Sequence, residues 1–194
     1  MKDESQVTEK KTGSGIGAIL WDWVKAALVA LIIVFGVYQF LFQQFVVDGH
    51  SMDHTLANGE RLIIDKIPYY FGPPKRGDII VFHAPDGQDW VKRVIGLPGD
   101  TVAVANGRLV LDGKTINEPY INGLMDTPFP QTKVPKGDLF VMGDNRNISE
   151  DSRIIGPIPI SSVIGRVDLI IWPLNKFQVL GSTQEHYLPQ GPAK

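Results

Sequence analysis

The chain has 194 residues, with 19 Lys and Arg against 21 Asp and Glu and a formal net charge of −2. That near balance excludes the electrostatic footprint of a nucleic-acid-binding surface, and a hydrophobic content of 43% excludes wholesale disorder. The chain holds no cysteine, so disulfides, cysteine-based zinc sites and a cysteine nucleophile are excluded as well.

Residues 1–25 read as a polar tail carrying Lys2, Lys10, Lys11 and Lys25. Residues 26–47, "AALVALIIVFGVYQFLFQQFVV", carry no charge. As a helix at ~1.5 Å per residue this run reaches roughly 33 Å, enough to cross a bilayer core. Trp21 and Trp23 stand at one end, and Tyr38, Gln39, Gln43 and Gln44 cluster at the other, as interfacial residues do. A buried core helix is disfavoured because no later segment is apolar enough to surround it. A cleaved leader is disfavoured because bulky residues follow the run where a peptidase needs small ones. The lysines place the short tail in the cytoplasm and everything after Val47 outside.

Beyond the anchor the period turns to that of short strands. Strands are predicted at Arg61–Lys66, Asp78–His83, Trp90–Leu97, Thr101–Ala105, Arg108–Leu111, Leu139–Gly143 and Val163–Trp172, bounded by Gly, Pro, Asp and Asn. Asn106-Gly107 and Asp112-Gly113 carry the chemistry of tight hairpin turns. No later segment sustains a 3.6-residue period, so residues 48–181 read as one antiparallel, mainly β domain. The stretch 121–138, rich in Pro and Gly, reads as an excursion from it. "PYYFGPP", Pro68–Pro74, is an apolar loop that suits either core packing or a membrane interface. Residues 182–194 read as a flexible polar tail.

Three stretches carry reactive groups. "DGHSMDHTL", Asp48–Leu56, places Ser51 just past the anchor. A free hydroxyl is a poor nucleophile and needs a base. Neighbouring side chains on an extended chain point to opposite faces, so His50 is badly placed to serve Ser51. His83 ends a run in which nothing else is reactive. His50 and His54 lie near Asp48 and Asp53, but no third ligand arrives at zinc spacing, and no metal or other cofactor is expected. A lysine can act as base once burial has lowered its pKa from ~10.4. Lys92 lies inside the apolar "DWVKRVIGLPGD", on the side of Trp90 and Val94, with Arg93 on the other. On this stretch alone a solvent-facing lysine and a functional one are both open. The third stretch, "GDNRNISEDSR", packs Asp144, Arg146, Ser149, Asp151 and Arg153 behind a strand, either as a solvated loop or as a bracing network.

Taken in order behind one anchor, "GHSM", "KRVIGLPGD" and "GDNR-x-x-S-x-DSR" resemble bacterial type I signal peptidases, and among them the small single-anchor forms of Gram-positive bacteria. The resemblance runs from the anchor to about Trp172. It implies a β fold of the signal peptidase and LexA-like type, with Ser51 as nucleophile and Lys92 as general base. It further implies that Ser149 orients Lys92 and that Asp144, Arg146, Asp151 and Arg153 support the site. Val47, Gly49, Met52, Trp90 and Val91, beside the dyad in the motifs, are the expected substrate-binding residues. The activity implied is removal of signal peptides from exported preproteins at the outer face of the cytoplasmic membrane. Signal peptides and membrane lipid are the implied partners, with secretion machinery left open. Two rivals remain: a peptidase dedicated to one exported substrate, and a non-catalytic relative that binds signal peptides. The chain departs from the family at His54, where Pro is usual, and at Gly49, where some members have Ser. It also departs in "SRIIG", which spaces Arg153 and Gly156 by one extra residue.

Overall fold

The computed structural model describes residues 16–180. The tail expected at 182–194, and residues 1–15 of the N-terminal one, lie outside this range. The apolar run forms helix α1, Ile16–Leu41. Its Ile16–Tyr38 portion is long and apolar enough to cross a membrane.

The helix bounds differ from those expected at 26–47. The helix begins inside the segment read as tail, because "IGAILWDWVK" is itself largely apolar and its Asp22 and Lys25 pair at 2.8 Å one turn apart. It ends early because Phe42–Val46 forms a strand, β1, paired with β2 (Arg61–Asp65) from Phe42 opposite Asp65 to Val46 opposite Arg61. Gln43 and Gln44 are exposed there. An extended chain makes its ladder bonds to β2, whereas a helix would leave that sheet edge unpaired.

The body is antiparallel and mainly β, as expected. A short helical turn α2 (Pro68–Phe71) follows β2. Then come β3 (Ile79–His83), β4 (Asp89–Gly96), β5 (Thr101–Ala105), β6 (Arg108–Leu111), β7 (Lys114–Thr115), β8 (Phe129–Lys133) and β9 (Asp138–Met142). The chain continues through α3 (Ser152–Ile155), β10 (Ile158–Pro159), β11 (Val163–Trp172) and β12 (Gln178–Val179). One sheet runs β1-β2-β11-β3-β4-β9-β10, with β12 beside β11, and a second runs β7-β6-β5-β8. All seven predicted strands are present. Asn106 and Gly107 have φ of +50° and +72°, as the tight β5–β6 turn requires. The excursion contributes β8, whose Pro130 is tolerated on the edge of the second sheet.

Two buried clusters hold the sheets together. Val47, Met52 and Leu56 sink beside Leu62, Ile64, Val81 and Val91 under the first sheet. Ile95, Phe140 and Met142, from β4 and β9 of the first sheet, join Val102, Val104, Leu109 and Leu111 of the second, so the two sheets share a core there.

Candidate active site

Ser51 is presented by a loop held at both ends. Val47 N–H donates to the Glu60 carbonyl at 2.9 Å and Gly59 N–H returns to Val47 at 2.8 Å. Gly49, at φ +105°, donates its N–H to Asn58 Oδ1 at 3.0 Å. Met52 and Leu56 are fully buried, which pins the turn on either side of Ser51 and Thr55. His54 sits at φ +78°, a region closed to proline, whose ring fixes φ near −65°. The turn of this chain is therefore not the one a proline would make there, and histidine is among the residues that tolerate it.

β4 carries Lys92. It pairs with β3 on one side and β9 on the other, and every residue from Val91 to Gly96 is buried. Lys92 is only 5% exposed. Its Nζ donates to Ser51 Oγ at 2.8 Å and lies 5.2 Å from the centre of the Trp90 ring. The alternation read from the sequence is realised: Lys92 faces Ser51, and Arg93 points the other way. Burial pulls the Lys92 amine down from its ordinary 10.5 to about 8, against the opposing pull of the Asp151 and Glu150 charges. His50 bonds Asp53 at 2.8 Å and His83 bonds Asp89 at 2.6 Å, so neither serves Ser51.

The segment after β9 braces this pair. Asn145 N–H donates to the Ser51 carbonyl at 3.0 Å, and its side-chain amide donates to the His50 carbonyl at 3.1 Å. Asp144, fully buried, receives Arg93 through two bonds, at 2.8 and 2.6 Å, and also the Thr55 hydroxyl. Asp151 caps α3, accepts Gly143 N–H at 3.1 Å, and takes two bonds of 2.8 Å from the Arg153 guanidinium. Arg153 also donates to the Arg146 carbonyl at 2.6 Å. The two aspartates are thus neutralised by arginines, although Asp151 still acts on Lys92 through its charge.

A Cβ at Gly143 would collide with the Ser149 hydroxyl and the Ser51 carbonyl. Gly143→Ala is therefore expected to displace Ser51 from Lys92 and lower kcat by about 100-fold with KM little changed, a test for steady-state kinetics on a precursor peptide.

The placement of the expected residues is uneven. Ser51, Lys92, Asp144, Asp151 and Arg153 converge. The bond expected from Ser149 to Lys92 is not made: the Ser149 hydroxyl, buried by the approach of Gly143, donates to the Glu150 carbonyl at 3.4 Å. Arg146 points away from the dyad and forms a bidentate pair with Glu118. A cleft of about 410 Å³ opens over Ser51 and Lys92. Of the residues expected to bind substrate, Gly49, Trp90 and Val91 line it, whereas Val47 and Met52, at 3% and 1% exposed, lie in the core. Phe45 of β1, Ile148 and Glu150 line it instead. Phe45 was hidden in the run read as anchor, and Ile148 in a loop without periodicity. Arg93 and Glu118 were also missed. The signal for Arg93 was a second cation beside Lys92 in an apolar strand, where a buried charge requires a carboxylate.

The structure thus holds a lysine amine against a serine hydroxyl in an open cleft of a mainly β domain. The sequence pattern of the family described as "Signal peptidase, peptidase S26" matches residues 20–172, and the chain belongs to that family. A relative named signal peptidase I from Bacillus caldolyticus is 42% identical, across 81% of this chain and 92% of its own. One named signal peptidase IB from Staphylococcus aureus is 37% identical, across 82% and 93%. A solved structure of a signal peptidase I from Enterococcus faecalis V583 is 35% identical with a TM-score of 0.44, across 49% of this chain and 97% of that one.

Proposed function

We propose that this protein is a membrane-anchored serine endopeptidase that removes signal peptides from exported preproteins, with Ser51 as nucleophile and Lys92 as general base. The observation that carries the reading is the 2.8 Å contact from Lys92 Nζ to Ser51 Oγ, made by an amine whose burial lowers its pKa to about 8. Membership of the family and the relatives named above support the substrate class.

The reaction follows from the geometry. Ser51 Oγ attacks the scissile carbonyl carbon and its proton passes to neutral Lys92. The oxyanion meets the Ser51 backbone N–H, which no acceptor takes up among the described residues. As the intermediate collapses, the C–N bond breaks and the Lys92 ammonium protonates the leaving amine. Water, deprotonated by the same lysine, then attacks the acyl carbon, releases Ser51 and returns the amine to its starting state.

Ser149 contributes by filling the space beside Gly143. Asp144 and Asp151, each held by an arginine, fix the segment that supports the Ser51 carbonyl. The lysines of the N-terminal segment favour a cytoplasmic tail and an extracytoplasmic catalytic domain, facing the site where a signal peptide emerges from lipid. Tethering to the same bilayer raises the effective concentration of that substrate, and contacts with secretion machinery are compatible with this position.

Substrates need small residues at −1 and −3. Trp90, Val91, Phe45 and Ile148 wall the cleft, and a larger side chain must displace them, at about 1–3 kcal/mol per misfit. Changing Ala to Leu at −1 of a precursor should lower kcat/KM about 10- to 100-fold; equal cleavage of both would contradict these walls. A panel of unrelated precursors carrying Ala at both positions tests the function itself. General processing, lost in Ser51→Ala, is the expected result. Cleavage of a single member would mark a dedicated peptidase, and cleavage of none a binder.

A further inference from the structure

Residues 117–120, Asn-Glu-Pro-Tyr, leave β7 of the second sheet and reach the back of the dyad. Glu118 is 7% exposed and takes both terminal nitrogens of Arg146, itself buried. The Tyr120 hydroxyl donates to the same carboxylate at 2.7 Å. The Tyr120 ring lies 4.1 Å from the Arg93 guanidinium and 6.0 Å from that of Arg146. These two arginines hold the segment that touches Ser51. Arg146 Nε donates to the Gly143 carbonyl at 3.1 Å, and Arg93 clamps Asp144. Gly143 packs against the Ser51 carbonyl, and Asn145 N–H donates to it.

We propose that Glu118 and Tyr120 are positioning residues for the peptidase reaction: they orient Arg146 and Arg93, and through them hold Gly143–Asn145 against Ser51 so that its hydroxyl stays on Lys92. The inference rests on the Ser51–Lys92 reading. A buried ion pair is weak as a source of stability, because desolvation offsets most of its attraction. What a bidentate carboxylate supplies is direction, since it fixes the plane of the guanidinium and hence the line of its Nε–H. The aromatic face does the same for Arg93, with the added attraction of a cation over a ring.

The test uses the full chain in detergent micelles and a precursor peptide with Ala at −3 and −1. Glu118→Gln and Tyr120→Leu should each lower kcat by about 10- to 100-fold, with KM changed less than about twofold. Tyr120→Phe, which keeps the ring but not the hydroxyl, should retain most of the rate. Leu109→Ala, which opens a cavity in the second sheet, should lower Tm as much or more and leave kcat near that of the parent. Glu118→Gln with a lowered Tm and unchanged kcat would overturn the proposal, as would a loss of kcat in Leu109→Ala equal to its own. If Glu118→Gln does not fold, the contrast between Tyr120→Leu and Tyr120→Phe decides alone: equal rates in the two would overturn it. Undiminished cleavage by Ser51→Ala would instead overturn the dyad reading, which separates the two failures.

Discussion

Ser51→Ala and Lys92→Arg should each reduce precursor cleavage by at least about 1,000-fold while the domain still folds. The two substitutions remove different things. Ser51→Ala deletes the nucleophile and leaves the cleft walls and the buried amine in place. Lys92→Arg keeps a cation and a long side chain but installs a guanidinium, which stays charged well above neutral pH and cannot accept the serine proton. A contact made only to position Ser51 would survive that exchange in part, because guanidinium donates hydrogen bonds as well as ammonium does. A contact that moves a proton would not. Mass spectrometry of the enzyme with precursor should show an acyl adduct on Ser51 in the parent and none in either variant. Loss of only a few-fold in Lys92→Arg would contradict proton transfer by Lys92.

The second large effect is on pH. With the amine at about 8, roughly a tenth of Lys92 is neutral at pH 7 and most of it at pH 9. Cleavage should therefore rise through the interval around pH 8. Replacing His50, His54 and His83 together should leave that limb in place, because none of their rings hydrogen-bonds the Ser51 hydroxyl. Glu150→Gln removes one of the charges that favour the ammonium form, so it should move the limb to lower pH. The same shift acts on stability. Lys92 has a lower pKa folded than unfolded, so between about 8 and 10.5 the unfolded chain binds more protons and stability rises with pH. Below about 8 the full cost of burying the cation is present, on the order of 3 kcal/mol at most. Lys92→Met should thus be inactive yet more resistant to urea than the parent at pH 7, with the gain fading as the pH approaches 10.5. A variant no more stable at pH 7 would contradict the view that Lys92 is held there against its solvation.

How much of this was legible in the sequence depends on range. The seven predicted strands and the Asn106-Gly107 turn are local patterns, and each was readable where it stands. Lys92 was a candidate in its apolar strand, but a solvent-facing lysine fitted that stretch as well, and only the three motifs taken together singled it out. β1 was not legible: Phe42–Val46 continues an apolar run, and only its pairing with β2 makes it extended. The cleft walls failed for a related reason. Val47 and Met52 lie beside the nucleophile in sequence, but adjacency does not say which side faces the core, and both face inward. Arg93 finds Asp144 at a separation of 51 residues and Arg146 finds Glu118 at 28, so neither pairing leaves a local trace. The need for such partners was visible in the buried charges; their identity was set by the way the second sheet folds back on β4 and β9.

Titration of the Lys92 amine itself tests most directly whether it is the base. The full chain, labelled with ¹³C at the ε-carbon of lysine and held in micelles, gives a Lys92 resonance assignable by its loss in Lys92→Arg. Its chemical shift should titrate at about 8, in step with the acidic limb of kcat/KM measured on the same sample. An amine that titrates near its ordinary 10.5 while cleavage is already maximal at pH 8 would contradict the assignment.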